Sequence, residues 1–130
     1  MASIFTKIVR GEIPCYKVAE TEDCIAFLDI LPLAKGHVLI VPKKEVDYYF
    51  DLEDELFQKV NILAKKVSSA IKKVVECERI GVSVIGLEVP HAHVHLVPIN
   101  SISDLDFTKN RVKLSKEEFK ELAAKIAANL

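Results

Sequence analysis

The chain has 130 residues, half of them hydrophobic and 28% charged, with 18 basic side chains against 19 acidic ones. That length carries one ordinary domain with a real core, and the composition excludes a disordered chain. The even charge balance leaves no broad face for nucleic acid or an anionic membrane, and no apolar run approaches the ~18 residues of a spanning helix.

The opening "SIFTKIVRGEIP" predicts a short helix capped by Ser3 and stopped at Gly11, with Pro14 just beyond. "YKVAET" and "CIAFLDI" read as two strands around the polar turn "ETED". Pro32 and Gly36 break the chain, and "HVLIVP" follows as a β-branched strand ended by Pro42. From Asp51, apolar residues Leu56, Val60, Leu63, Val67, Ile71 and Val74 recur at helical spacing, predicting one long amphipathic helix to about Glu76. "RIGVSVIGL" and "HAHVHLVPI" are two further strands, and their short link around Glu88 and Pro90 implies an antiparallel pair. "NSISDLDFTKNRVK" is polar and irregular. Ser115 and Glu118 then form a capping box ahead of a closing helix, about 115–129, that uses Phe119, Leu122 and Ile126. The sum is one α+β domain over 1–130, a five-stranded antiparallel sheet with one long helix and short terminal helices.

Cys15, Cys24 and Cys77 are an odd, scattered set that fits reduced thiols better than a disulfide framework. Lys7 and Arg10 interrupt any leader-like apolar opening, so the expected location is the cytoplasm.

The stretch "PHAHVHLVP" holds three of the four histidines within five positions. Side chains alternate faces along a strand, so His91, His93 and His95 should share one side while Ala92, Val94 and Leu96 face the covering helix. Packing alone does not ask for this, because each buried imidazole needs partners for two nitrogens. Three readings stay open on the residues: a hydrogen-bonded or solvent-facing strand, a metal site built from imidazoles, and phosphoryl chemistry with a neutral imidazole as nucleophile. His37, the remaining histidine, follows Gly36 at another strand's start, where it can support one of the three.

"HAHVHLV" resembles the His-φ-His-φ-His-φ-φ motif (φ apolar) of the histidine triad nucleotide-binding family, in its Hint-like branch. "IFTKIVRGEIPCYKV" is similar to that family's amino-terminal signature, and "AFLDILPLAKGHVLIVPKK" to its central block; residues 3–98 align in order. The resemblance implies a nucleotide hydrolase or transferase that cleaves a nucleoside phosphoramidate or dinucleoside polyphosphate at the α-phosphorus. His93 becomes the nucleophile, with Nδ1–H held by the backbone carbonyl of His91, and a nucleotidyl-histidine the intermediate. His95 would contact the phosphate or leaving group, His37 would support it, and His91 would position. Asp29 would accept from the ribose hydroxyls. Phe5, Ile8, Phe27 and Ile30 would sandwich a purine base, and the Val89 or His91 backbone N–H would meet phosphate. The family also implies a homodimer through the long helix and a central strand. A nucleotide-binding or scaffold module with little turnover is the alternative.

Two departures qualify the likeness. Hint relatives carry zinc-binding cysteines in the first helix where this chain has Ser3 and Thr6, so no metal and no cofactor is expected. The loop before the triad, "IGLEVPHAH", offers Glu88 and almost no side-chain donors, whereas many relatives place Asn, Gly and a phosphate-contacting Gln or Ser there. Lys43 and Lys44 read as solvated surface charges.

Overall fold

Strands β1 (Lys17–Glu20), β2 (Cys24–Leu28), β3 (Val38–Pro42), β4 (Arg79–Ser83) and β5 (Val94–Ile99) pair into one antiparallel sheet ordered β1-β2-β3-β5-β4. The structure is a computed structural model and describes residues 1–130. Helices α1 (Ile4–Val9), α2 (Asp54–Val74) and α3 (Lys116–Ala128) complete the expected α+β architecture.

Every residue of β2 and β3 is buried, so both faces of the sheet centre are covered. One face carries Ala26, Leu28, Val38, Ile40, Val94 and Leu96 against Val60, Val67 and Ile71 of α2 and Phe119 and Ile126 of α3. The other face carries Ile25, Phe27, Leu39 and Val41 under Phe5 of α1, with Ile8 and Val89 half-buried at the margin. The two-residue strand period thus sorts the apolar side chains into two cores. Burial of this kind, worth about 25 cal/mol per Å² of apolar surface, holds the helices to the sheet. The caps follow the sequence: Ser3 Oγ accepts from Thr6 N–H, and Ser115 and Glu118 close a reciprocal capping box.

Three boundaries differ from expectation. Tyr49–Asp51 forms a separate 3-10 turn, and α2 begins only at Asp54. β2 stops at Leu28, short of Ile30, because Asp29 Oδ1 turns back to accept from Leu31 N–H at 2.9 Å. Most consequential, β4 ends at Ser83 and β5 starts at Val94, so His91 and His93 lie outside the strand expected to carry them. The last rung with β3 is Ile40 opposite Val94. Pro42 ends that ladder: it has no N–H to give, and its carbonyl accepts from the His91 ring at 2.8 Å instead.

Gly36 (φ +102°) makes the turn that delivers His37 to β3. A side chain there would also meet Val75 at 3.0 Å and Pro98 at 3.1 Å, so glycine serves both backbone and packing.

Candidate active site

All four histidines are buried: His37 and His91 are 0% exposed, His93 7% and His95 8%. Ala92, Val94 and Leu96 join the helix-side core. The intervening triad rings lie on the opposite side, with the His93 and His95 centroids 4.8 Å apart and Phe5 edge-on to His93 at 4.9 Å. Facing therefore alternates as the spacing requires, although only His95 sits within β5.

Hydrogen bonds set each ring's tautomer. Leu33 N–H donates to His37 Nδ1 at 3.0 Å, so neutral His37 carries its proton on Nε2. That N–H lies 2.9 Å from His95 Nδ1 and 3.5 Å from Asp29 Oδ2, and it donates to the nearer His95 nitrogen. His95 must then hold its own proton on Nε2. His93 is the reverse case. Its Nδ1 is 2.7 Å from the carbonyl oxygen of His91, which can only accept, so the proton sits on Nδ1 and the lone pair on Nε2. No fully buried side-chain nitrogen or oxygen is left unpaired, and neither the His93 nor the His95 Nε2 has a partner within the chain; both therefore open to solvent. The two neighbouring rings thus present one lone pair beside one N–H donor.

The electrostatics keep these rings neutral. Burial, then the neighbouring His95, Arg111 and His93, holds His37 down to about 3. Burial, then His93 and Arg111, holds His95 down to about 3. Burial also lowers His93, opposed by the hydrogen bond to the His91 carbonyl, which favours the charged ring.

The other expected residues divide. Phe5, Phe27, Ile8 and Val89 gather in the small core beside the triad, the two phenylalanines as a nearly closed floor and Ile8 and Val89 as its half-buried rim. Ile30 stands apart from that cluster, exposed beyond the end of β2. Asp29 extends the sheet by one bond, its N–H donating to His37 O at 3.0 Å. Its carboxyl is pushed up by burial, against the pull of Leu31 N–H and Arg111. Glu88 is exposed, and its charge acts to raise both Asp29 and His93. Of the two backbone donors considered for phosphate, His91 N–H is already committed to Val89 O at 2.8 Å. Lys43 pairs with Glu20 at 2.8 Å, in keeping with a surface role.

Sequence reasoning missed two site neighbours. Phe107 packs edge-on to His95 with centroids 4.7 Å apart, and Arg111 lies over Phe107 while donating to Leu31 O at 2.7 Å. Both come from the irregular segment before α3, which has no periodicity to announce a return to the sheet. Arg111 is the cation whose field reaches Asp29, His37 and His95.

Metal binding finds little support in the donor sets. Ligating atoms of Asp29, His37 and His95 lie within 4.8 Å of one another. A metal would need the His37 Nε2 lone pair, and Leu33 N–H on Nδ1 forces the proton onto that very nitrogen. Ser3 and Thr6 offer hydroxyls in place of thiolates, and these are engaged with His91 at 2.7 Å and Glu45 at 2.6 Å.

The chain is similar to known proteins over most of its length. The HIT domain family model matches residues 10–102. An adenosine 5′-monophosphoramidase of Schizosaccharomyces pombe is 37% identical over 136 residues, spanning 100% of this chain and 99% of the relative. An uncharacterized HIT-like protein of Borreliella burgdorferi is 35% identical, spanning 98% and 97%. The crystal structure of a Hit-like protein from Bartonella henselae superposes with a TM-score of 0.86 at 34% identity, covering 98% of this chain and 96% of that one. A family model matching residues 10–102, with relatives and a solved structure matched across nearly their whole length, makes this chain a member of the HIT family.

Proposed function

We propose that this protein is a nucleotidyl hydrolase that cleaves a purine nucleoside 5′-phosphoramidate, with dinucleoside polyphosphates as the second substrate class. The observation that carries this is the His93 ring: Nδ1–H is tied to the His91 carbonyl at 2.7 Å, which leaves the Nε2 lone pair free at the pocket surface. The lone pair attacks the α-phosphorus, the Nε2–phosphorus bond forms, and the leaving amine departs with its bonding electrons. Water then makes the new phosphorus–oxygen bond and returns the electron pair to Nε2; its released proton balances the one the amine takes up. During the intermediate the ring is cationic, the form that the His91 carbonyl favours. His95 Nε2–H faces the same space and donates to the phosphate or the departing group. Asp29 keeps Oδ2 for the ribose hydroxyls, while Ile8 and Val89 rim the apolar floor offered to the base. Phosphoramidates come first in this reading because the S. pombe relative is named an adenosine 5′-monophosphoramidase.

A turnover screen tests the reading. Adenosine and guanosine phosphoramidates and dinucleoside polyphosphates are incubated with the protein, with a His93→Asn blank. Cleavage of a phosphoramidate above the blank is the expected result; no cleavage of any of them ends the substrate assignment.

The same reading includes a homodimer. β4 has only β5 as neighbour and so forms a sheet edge, and Val82, Val84 and Ile85 at its end are exposed, as is Ile62 on α2. An unpaired apolar edge is suited to a second copy of the chain. Sedimentation velocity is expected to give twice the chain mass, and a monomer at micromolar concentration would refute it.

A further inference from the structure

His91 and His93 precede the first rung of β5, so the sheet ladder does not hold them. A nucleophilic ring that hangs outside the ladder needs another anchor, since small misplacements of reacting groups are costly. Residues 42–46, the exit from β3, supply it. Pro42 O accepts from the His91 ring at 2.8 Å, and Val46 O accepts from Ala92 N–H at 2.7 Å. Between them, Glu45 reaches across to α1: its Oε1 accepts from Ser3 N–H and from Thr6 Oγ1–H, each at 2.6 Å.

The donors and acceptors in this chain run in one direction. Pro42 O can only accept, so in the neutral His91 ring the proton sits on Nε2 and Nδ1 is the acceptor. Ser3 Oγ lies 2.7 Å from that Nδ1 and 3.3 Å from Thr6 Oγ1, so its single hydrogen goes to the imidazole. Thr6 spends its own hydrogen on Glu45. Glu45 is held ionised, at about 2, chiefly by the Thr6 hydroxyl and then by Ser3 N–H, so it stays an acceptor at any working pH. Both ring nitrogens of His91 are thereby pinned, and the His91 carbonyl in turn holds His93 Nδ1–H.

We propose that Glu45 is a positioning residue for His93: through Ser3, Thr6 and the His91 ring it holds the main-chain carbonyl that aims the reacting imidazole. The proposal rests on His93 being the nucleophile. Glu45 touches no reacting atom, is exposed, and fills no packed volume.

Glu45→Ala, Glu45→Gln, Thr6→Val and Thr6→Ser are compared with the parent by kcat and KM on adenosine 5′-phosphoramidate. Ring N–H NMR of His93 and the melting temperature are recorded for each. Glu45→Ala is expected to lower kcat about tenfold with KM nearly unchanged, and to shift and broaden the His93 Nδ1–H signal. Glu45→Gln keeps an acceptor oxygen and should restore most of both; Thr6→Val should follow Glu45→Ala, and Thr6→Ser the parent. A folded Glu45→Ala protein with parental kcat and ring signal overturns the proposal, as does a Gln variant no better than the Ala variant. Should Glu45→Ala not fold, the Gln variant and the Thr6 pair decide by the same comparison. If the parent cleaves none of the substrates, the hydrolase reading fails by itself, and the NMR comparison alone decides whether Glu45 orients the ring.

Discussion

Replacing His93 with asparagine is expected to lower kcat/KM by about 10⁴-fold or more while nucleoside monophosphate binding survives. The asymmetry follows from where the ring sits. An asparagine amide can still donate to the His91 carbonyl, which His93 Nδ1–H engages at 2.7 Å, so the surrounding backbone has no reason to move. What disappears is the Nε2 lone pair, and no other imidazole presents one beside it, because His95 carries a proton on the corresponding nitrogen. Asp29, Ile8 and Val89, the proposed nucleoside contacts, are untouched. Single-turnover kinetics and calorimetry with adenosine monophosphate measure the two halves separately. Rapid quench and intact mass should also find a nucleotidyl adduct on the parent and none on the variant. Parental turnover by the asparagine protein would end the covalent mechanism.

Mild acid is expected to destabilise the fold strongly, with the loss beginning above the range in which ordinary carboxylates titrate. His37 and His95 stand at about 3, burial being the first cause for each, against 6.5 for an unconstrained histidine. Between those values the unfolded chain binds protons that the folded one refuses, so stability is intact above about pH 6.5 and falls as pH falls toward 3. One such histidine contributes a slope of about 1.4 kcal/mol per pH unit. Two of them amount to several kcal/mol by pH ~4.5, a large share of a typical stability of about 5–15 kcal/mol. His93 is lowered as well and adds with the same sign. Glu20 and Glu45, both at about 2, add to the loss only below their ordinary 4.5, and Asp29, raised by burial, opposes it. Urea midpoints at pH 7.5 and 4.5 test this, with His95→Gln expected to flatten the difference. Equal midpoints at the two pH values would refute it.

The sequence was most legible where a single period governs. The stripe from Leu56 to Val74 predicted α2 to within about three residues, and the β-branched runs predicted β2 and β3, because burial on a regular element repeats at a regular interval. The triad's shared facing was legible for the same reason. Its departure from the ladder was not. Pro42 is visible as a strand end, yet nothing local says that its carbonyl will be taken by an imidazole 49 residues away. Ser3 could be recognised in the sequence as a helix cap and, with Thr6, as a missing cysteine, whereas in the fold the two are also the links between Glu45 and His91. Phe107 and Arg111 reach the pocket from an aperiodic segment, and the resemblance, which runs through residue 98, stops short of both.

The proton order of the His37–His95 pair begins at Leu33 N–H, a group belonging to the peptide backbone. A peptide amide persists whatever side chain position 33 carries, so that order is immune to every replacement there except proline, which alone deletes the hydrogen. Leu33→Pro would let both imidazoles flip their protons, turning the His95 face from donor to acceptor without altering a single histidine.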